Sequence, residues 1–220
     1  MTSACGHLIL AAALLLALAL PGQDQLGNRR RILELARNFE LRPSESAPAW
    51  AQRADPPLAR LVWFSDLHLN QSYLPLAHEA LAYINTLAPH AVLITGDNCA
   101  YAPADFRPDL TSRHERYAAW FQQLLGRELQ APAVVLPGDN WPWEFHKTFG
   151  SRQFSFDVAG VRIVCLGADR AARGVEGCAV FDEGTWAWLE QELAGNPASP
   201  TLVALHENPA PPTLDRKSVV

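Results

Sequence analysis

Asp66 and His68 are separated by one residue and directly follow a predicted buried strand, Leu61–Ser65. In an extended chain the side chains at positions i and i+2 point to the same side, so this carboxylate and this imidazole are expected to converge. A carboxylate oxygen and an imidazole nitrogen brought together in this way form half of a site for a first-row metal ion. Taken alone, the Asp-x-His triplet is also typical of a turn aspartate beside a surface histidine.

Polar residues recur at the ends of three further predicted strands. Ala91–Thr95 is followed by Gly96-Asp97-Asn98, Ala133–Leu136 by Pro137-Gly138-Asp139-Asn140, and Thr201–Leu205 by His206. A single Gly-Asp turn is ordinary, but carboxylates and imidazoles at four strand ends indicate a common site. Open α/β sheets bind ligands at the carboxyl ends of their strands, which is where these residues fall.

Helices are predicted between these strands. Their apolar spacing predicts helices at Leu74–Leu87, from Ser112 through Leu124 and at Asp182–Leu193. Ser112 and Glu115 form a capping box, and the last helix is expected to turn Trp186, Leu189 and Leu193 inward. Ala159-Gly160 predicts a tight hairpin between Phe154–Val158 and Val161–Leu166. The pattern indicates an α/β fold whose sheets are not purely parallel, with helices outside.

Length and charge narrow the possible functions. The 220 residues suffice for one domain with a sizeable core. The net charge of −5 argues against a basic nucleic-acid-binding surface. Four cysteines without a C-x-x-C spacing give no support for a zinc knuckle, and Cys165, inside an apolar run, is expected to be a small core residue.

The amino terminus predicts export. Leu8–Leu20 is apolar throughout, about the length of a signal-peptide core and short for a membrane span, and Ala17-Leu18-Ala19 fits a cleavage site. We therefore expect a signal peptide over residues 1–22, outside the fold, and a secreted or periplasmic protein without a stable membrane anchor. The alternative is an uncleaved anchor held by the arginines at 29–31. Residues 23–57 are expected to form a lead-in helix followed by a proline-rich linker.

From Leu61 to about Pro212 the chain resembles the calcineurin-like metallophosphoesterases, whose motifs Asp-x-His, Gly-Asp, Gly-Asn-His and a lone His each end a strand. The resemblance implies an α/β fold, a two-sheet sandwich flanked by helices, over residues 58–214. It makes Asp66 and His68 ligands of a first metal, Asp97 the carboxylate bridging two metals, and His206 a ligand of the second. Two divalent ions, with Mn, Fe or Zn suited to mixed His/Asp ligation, are the implied cofactors.

One motif departs from the family pattern. Gly138-Asp139-Asn140 stands where the family has Gly-Asn-His, so Asp139 falls on a metal-ligand position and Asn140 on the histidine near the leaving group. A carboxylate at 139 can still bind metal, with added negative charge. Asn140 can hydrogen-bond but cannot donate a proton as an acid. His146 could replace it, although a surface histidine on a short helix is the favoured interpretation; a one-residue slip, with Asn140 as ligand and Trp141 in the His position, is also open.

The carboxyl-terminal end differs as well. The family's final Gly-His-x-His motif does not follow His206, and residues 215–220 match one reading frame of a common sequencing adapter. We therefore expect the last strands of the domain to be missing and residues 215–220 to be non-native, the alternative being a natural polar tail.

The implied activity is hydrolysis of phosphate mono- or diesters by a hydroxide that two metals activate and hold in line with phosphorus. Two alternatives remain. One is a catalytically inactive relic that binds metal or phosphate, which Asn140 favours. The other is a fragment that folds poorly because its sheet edge and core are open.

Overall fold

The computed structural model describes residues 8–14, 30, 34, 59–138, 145–167, 170–171, 179–195 and 200–206. Within these residues the chain is a mixed α/β protein with two small sheets, a two-stranded ribbon and four α-helices. This agrees with the predicted α/β class. Most of the predicted lead-in region 23–57, together with Asp139, Asn140 and the tail 215–220, lies outside the described residues.

The first sheet is parallel and has the strand order β1 (Leu8–Leu14), β2 (Ala59–Phe64), β3 (Ala91–Ile94) and β4 (Ala133–Val135). All four residues of β3 are buried, as its unbroken apolar run predicts. Successive side chains face opposite layers: Leu93 joins a core between the two sheets, and Ile94 joins a core beneath the helices. The strand therefore needs apolar residues at every position.

Helices α1 (Leu74–Thr86) and α2 (Arg113–Glu128) cover one face of this sheet. The predicted apolar face of α1 is confirmed, since Ala77, Leu81 and Ile84 are buried in the core beneath the helices. A short 3-10 turn, Gln71–Tyr73, precedes α1 and begins at Asn70, whose side chain accepts hydrogen bonds from two backbone N–H groups.

The predicted cap of α2 is also present. Ser112 Oγ accepts a hydrogen bond of 3.2 Å from the backbone N–H of Glu115, which satisfies one of the helix's first unpaired donors. Phe121 and Leu124 pack into the core beneath the helices, and the partly buried Trp120 lies edge-on to Tyr101. A short helix α3 (Phe145–Phe149) follows β4 and contributes the buried Phe145.

The second sheet contains β5 (Gln153–Val158), β6 (Val161–Leu166) and β9 (Thr201–Leu205), and the two-stranded ribbon pairs β7 (Arg170–Ala171) with β8 (Ala179–Val180). β5 and β6 form the predicted antiparallel hairpin, and β6 pairs parallel with β9. Ala159 and Gly160 both have positive φ, 47° and 79°, as a two-residue turn of type I′ requires.

One core cluster lies between the two sheets. Leu61 and Leu93 from the first sheet share it with Ile163, Cys165 and Ala204 from the second. Cys165 is fully buried, which confirms it as a core residue, and burial raises the pKa of its thiol to about 12. The two sheets therefore pack on each other through alternate side chains of their strands.

Helix α4 (Glu183–Gly195) is oriented differently from the sequence prediction. Trp186 and Leu193, expected to face inward, are both 42% exposed, and the predicted inward Leu189 is only partly buried. The buried residue of this helix is Thr185, whose hydroxyl donates to Gln153 of β5 at 3.2 Å. The apolar stripe therefore does not decide which face of α4 meets the sheet.

Polar side chains on the outer face of the second sheet explain this orientation. Ser155 and Arg162 alternate with core residues along β5 and β6, and both donate 2.6 Å hydrogen bonds to Glu192 of α4. The bond from Ser155, together with the Arg162 guanidinium, holds the pKa of the Glu192 carboxyl below its usual value. These bonds require α4 to turn its Glu192 face toward the sheet.

The first strand of the first sheet comes from the amino-terminal segment, and the prediction of a signal peptide over residues 1–22 stays a prediction. Leu8–Leu14 pairs parallel with β2, with Leu8 opposite Ala59 and Leu14 opposite Phe64. Cleavage of that peptide would leave β2 at the edge of the first sheet. Among the described residues, no helix is both long and apolar enough to span a membrane.

Candidate metal centre

The carboxyl ends of the strands lie side by side. In the first sheet Phe64, Ile94 and Val135 are register partners across β2, β3 and β4. The polar residues that follow these strands therefore begin at one edge, as expected for parallel strands. Beyond the strands, the N–H of Asp66 donates to the Gly96 carbonyl at 3.1 Å.

This pairing continues along the loop. The N–H of His68 donates to the carbonyl of Asp97 at 2.8 Å, and that of Leu69 donates to the carbonyl of Asn98 at 2.9 Å. The two loops that carry the candidate ligands thus hold each other in place through backbone hydrogen bonds.

The backbone at the candidate ligands is not extended, which corrects the geometry expected for the Asp-x-His triplet. Asp66, His68 and Asp97 have φ values of 56°, 40° and 50°, in the left-handed region that non-glycine residues seldom adopt. Such conformations cost about 1–3 kcal/mol each and persist where the surroundings enforce them, often at functional sites. The two residues of the triplet still converge, with His68 Nε2 3.9 Å from Asp66 Oδ1.

Asp97 lies between the two histidines. Its Oδ2 is 3.5 Å from His68 Nε2, and its Oδ1 is 3.8 Å from His206 Nε2. Each oxygen of this carboxylate therefore faces a different imidazole. The structure brings together Asp66, His68, Asp97 and His206, four of the five residues predicted to bind metal.

Burial differs across the site. The side chains of Asp97 and His206 are 4% and 11% exposed, whereas those of Asp66 and His68 are 34% and 45% exposed. A nearly buried carboxylate requires compensation by positive charge or hydrogen bonds. The site is thus closed around Asp97 and open on the side of Asp66 and His68.

Two glycines allow the loops to approach this closely. A Cβ on Gly96, whose φ is 111°, would lie 2.7 Å from the Gly138 Cα and from the His206 ring. A Cβ on Gly138 would meet the Asp97 carboxylate and lie 2.5 Å from the Asp97 backbone nitrogen. The Gly-Asp turns seen in the sequence therefore leave space for the ligands as well as bending the chain.

Ser65 also belongs to the site, although sequence reasoning assigned it no role. Its hydroxyl lies 2.6 Å from Asp66 Oδ2 and 3.2 Å from His206 Nδ1. It thus connects candidate ligands that are 140 positions apart in the chain. The available signal was a hydroxyl residue directly before the Asp-x-His triplet.

The donor set fits a metal ion. Asp66, Asp97 and His206 each offer a ligand atom, and these atoms lie within 4.8 Å of one another, so this group could hold a metal ion. A separation of 3.8 Å between Asp97 Oδ1 and His206 Nε2 exceeds a hydrogen bond. It is shorter than twice the metal–ligand distance of about 2.0–2.2 Å. Carboxylate and imidazole donors together suit Mn, Fe or Zn.

Asp139 and Asn140 lie outside the described residues, so their predicted roles stay predictions. Gly138, the described residue before them, lies against Asp97. His146 is exposed on the short helix α3, as its interpretation as a surface histidine predicts.

No protein-family model matches the chain, and no curated protein matches it.

Proposed function

We propose that the chain is an exported metal-dependent phosphoesterase acting on phosphate mono- or diesters. We propose further that its two sheets form the sandwich of the calcineurin-like metallophosphoesterases. The face-to-face packing of the sheets and the alignment of the polar strand ends support this more specific fold.

One observation carries the proposal: the two oxygens of the buried Asp97 carboxylate face His68 and His206 separately. A carboxylate so placed is suited to bridge two ions. Asp66 and His68 would complete one site on the Oδ2 side. His206 would contribute to the other on the Oδ1 side, with Asp139 added by the resemblance.

The proposed role of each candidate ligand follows from how far its side chain is buried. Asp97, nearly closed off from water, would hold both ions at a fixed separation. Asp66 and His68 border the open side, where a phosphate ester could approach. Two bound divalent ions would supply Lewis acidity, polarising phosphoryl oxygens and lowering the pKa of the attacking water.

Export is proposed from the apolar run Leu8–Leu20 and the Ala17-Leu18-Ala19 cleavage pattern. We expect protein recovered outside the cytoplasm to begin between Leu20 and Asp24 when its amino terminus is sequenced. Intact Met1 on cytoplasmic protein would contradict export without affecting the metal site.

The full chain, loaded with Mn²⁺, is expected to hydrolyse aryl phosphates far better than alkyl phosphates. General acid catalysis is worth about 10²–10⁴-fold and matters most for a poor leaving group such as an alkoxide. Asn140 cannot supply that proton. Steady-state rates on nitrophenyl phosphate and on an alkyl phosphate measure the difference, and Asn140→His should raise the alkyl rate much more than the aryl rate.

His146→Asn is the matched control and should leave both rates unchanged. A selective fall in its alkyl rate would assign the acid to His146. Equal gains on both substrates in Asn140→His would mean that Asn140 acts in binding. Metal binding without hydrolysis in any form would reject the esterase in favour of an inactive metal-binding protein.

A further inference from the structure

The Ser65 hydroxyl contacts two candidate ligands at once, Asp66 Oδ2 at 2.6 Å and His206 Nδ1 at 3.2 Å. Ser65 immediately follows β2, and its side chain is partly buried. The two contacts connect an end of the first sheet with an end of the second, since His206 follows β9. Their geometry determines which atoms of each ligand remain available to the site.

The hydroxyl has one proton to donate. An ionised carboxylate can only accept, so the 2.6 Å contact requires Ser65 to donate to Asp66. The carbonyl of Thr95 is a second possible acceptor, but it lies 3.4 Å away and is neutral. A short bond to a charged acceptor is the stronger of the two. The Ser65 proton is therefore directed to Asp66 Oδ2.

His206 must then be the donor in its contact with Ser65. The serine oxygen, having donated its proton, accepts the hydrogen on His206 Nδ1. In the neutral ring this leaves the lone pair on Nε2, the atom that faces Asp97 Oδ1 at 3.8 Å. Likewise, Asp66 uses Oδ2 for Ser65 and turns Oδ1 toward His68.

We propose that Ser65 is a positioning residue that sets the His206 tautomer and the Asp66 carboxylate orientation, so that Nε2 and Oδ1 face the metal centre. The ion itself rests on the proposed function, whereas the tautomer is a property of the chain alone. Outer partners of this kind typically change metal affinity by about 10–100-fold when lost.

The first experiment reads the tautomer without metal. Long-range ¹H–¹⁵N NMR of the labelled, metal-free full chain reports which ring nitrogen of His206 carries the proton in the neutral ring. The His206 ring should carry its proton on Nδ1 in the parent chain and in Ser65→Thr, which keeps the hydroxyl. Ser65→Ala should shift the ring toward the Nε2-protonated form.

The second experiment measures Mn²⁺ affinity by calorimetry. Ser65→Ala should bind about 10–100-fold more weakly, and Ser65→Thr should recover most of that loss. Ser72→Ala removes an exposed hydroxyl from the 3-10 turn before α1 and should change neither readout. Thermal unfolding of each metal-free variant establishes that the chains compared are folded.

The two readouts separate the two proposals. An unchanged His206 tautomer in folded Ser65→Ala would overturn the positioning role, whatever the metal does. Absence of Mn²⁺ binding in the parent chain would overturn the proposed function, while the tautomer would still decide the role of Ser65. Equal Mn²⁺ affinity in the Ala, Thr and parent chains would also overturn the positioning role.

Discussion

Asp97→Asn is expected to abolish the binding of two metal ions, because the single Asp97 carboxylate faces both His68 and His206. The substitution keeps the shape of the side chain and removes its charge. Affinity should fall by more than the roughly 100-fold that loss of an outer partner costs. Phosphoesterase kcat/KM should fall by more than about 10³-fold, since even one transition-state hydrogen-bond donor is worth about 10²–10³.

Thermal and denaturant unfolding separate this effect from misfolding. In the parent chain, each bound metal ion at 100 times its Kd should add about 2.7 kcal/mol to the free energy of unfolding. Asp97→Asn should lose that increment. Its metal-free stability should be unchanged or higher, because a carboxylate that is 4% exposed has been neutralised.

The matched control is Asp157→Asn. Asp157 is opposite Arg162, which pairs with Thr201, so it lies at the strand ends away from His206, and its side chain is 63% exposed. This variant should bind metal as the parent does. Parent-like metal binding by Asp97→Asn itself would contradict the bridging role.

Gly96→Ala is expected to lower the free energy of unfolding by about 2–6 kcal/mol. About 1–3 kcal/mol comes from forcing a side chain into a strained conformation, here a φ of 111°. A further 1–3 kcal/mol, roughly, comes from overpacking against Gly138 and the His206 ring. Because the added methyl group would displace the His206 ring, the folded fraction of Gly96→Ala should also bind metal more weakly.

Gly126→Ala is the control, and it is expected to change the free energy of unfolding in the opposite direction. Gly126 lies within α2, and a Cβ there would meet nothing within 4 Å. Alanine should therefore raise stability by about 0.5–1 kcal/mol through helix propensity. Urea unfolding with linear extrapolation measures both variants. A change below about 0.5 kcal/mol for Gly96→Ala would contradict the close approach of the three loops.

Sequence reasoning predicted the elements whose own residues determine them. The short, unbroken apolar run of β3 fits a strand buried on both faces, and Ala159-Gly160 fits the turn of the hairpin between β5 and β6. The convergence of Asp66 and Asp97 was predictable too, because the parallel strands that precede them end at a common edge of the first sheet.

Other features depend on which elements meet, and sequence pattern alone did not predict them. The apolar residues Trp186 and Leu193 indicated an inward face for α4, but bonds from the second sheet to Glu192 orient the helix instead. The left-handed backbone at Asp66 arises from pairing with the loop after β3, which the Asp-x-His spacing does not encode. Ser65 gains its role only when β9 brings His206 beside it.

Electron paramagnetic resonance of the full chain titrated with Mn²⁺ tests the central claim most directly. Two Mn²⁺ ions, if both were held by the Asp97 carboxylate, would be close enough to be magnetically coupled. We predict saturation at two Mn²⁺ per chain with a coupled spectrum in the parent protein and loss of that spectrum in Asp97→Asn. No bound Mn²⁺, or a single uncoupled ion that survives Asp97→Asn, would contradict the account.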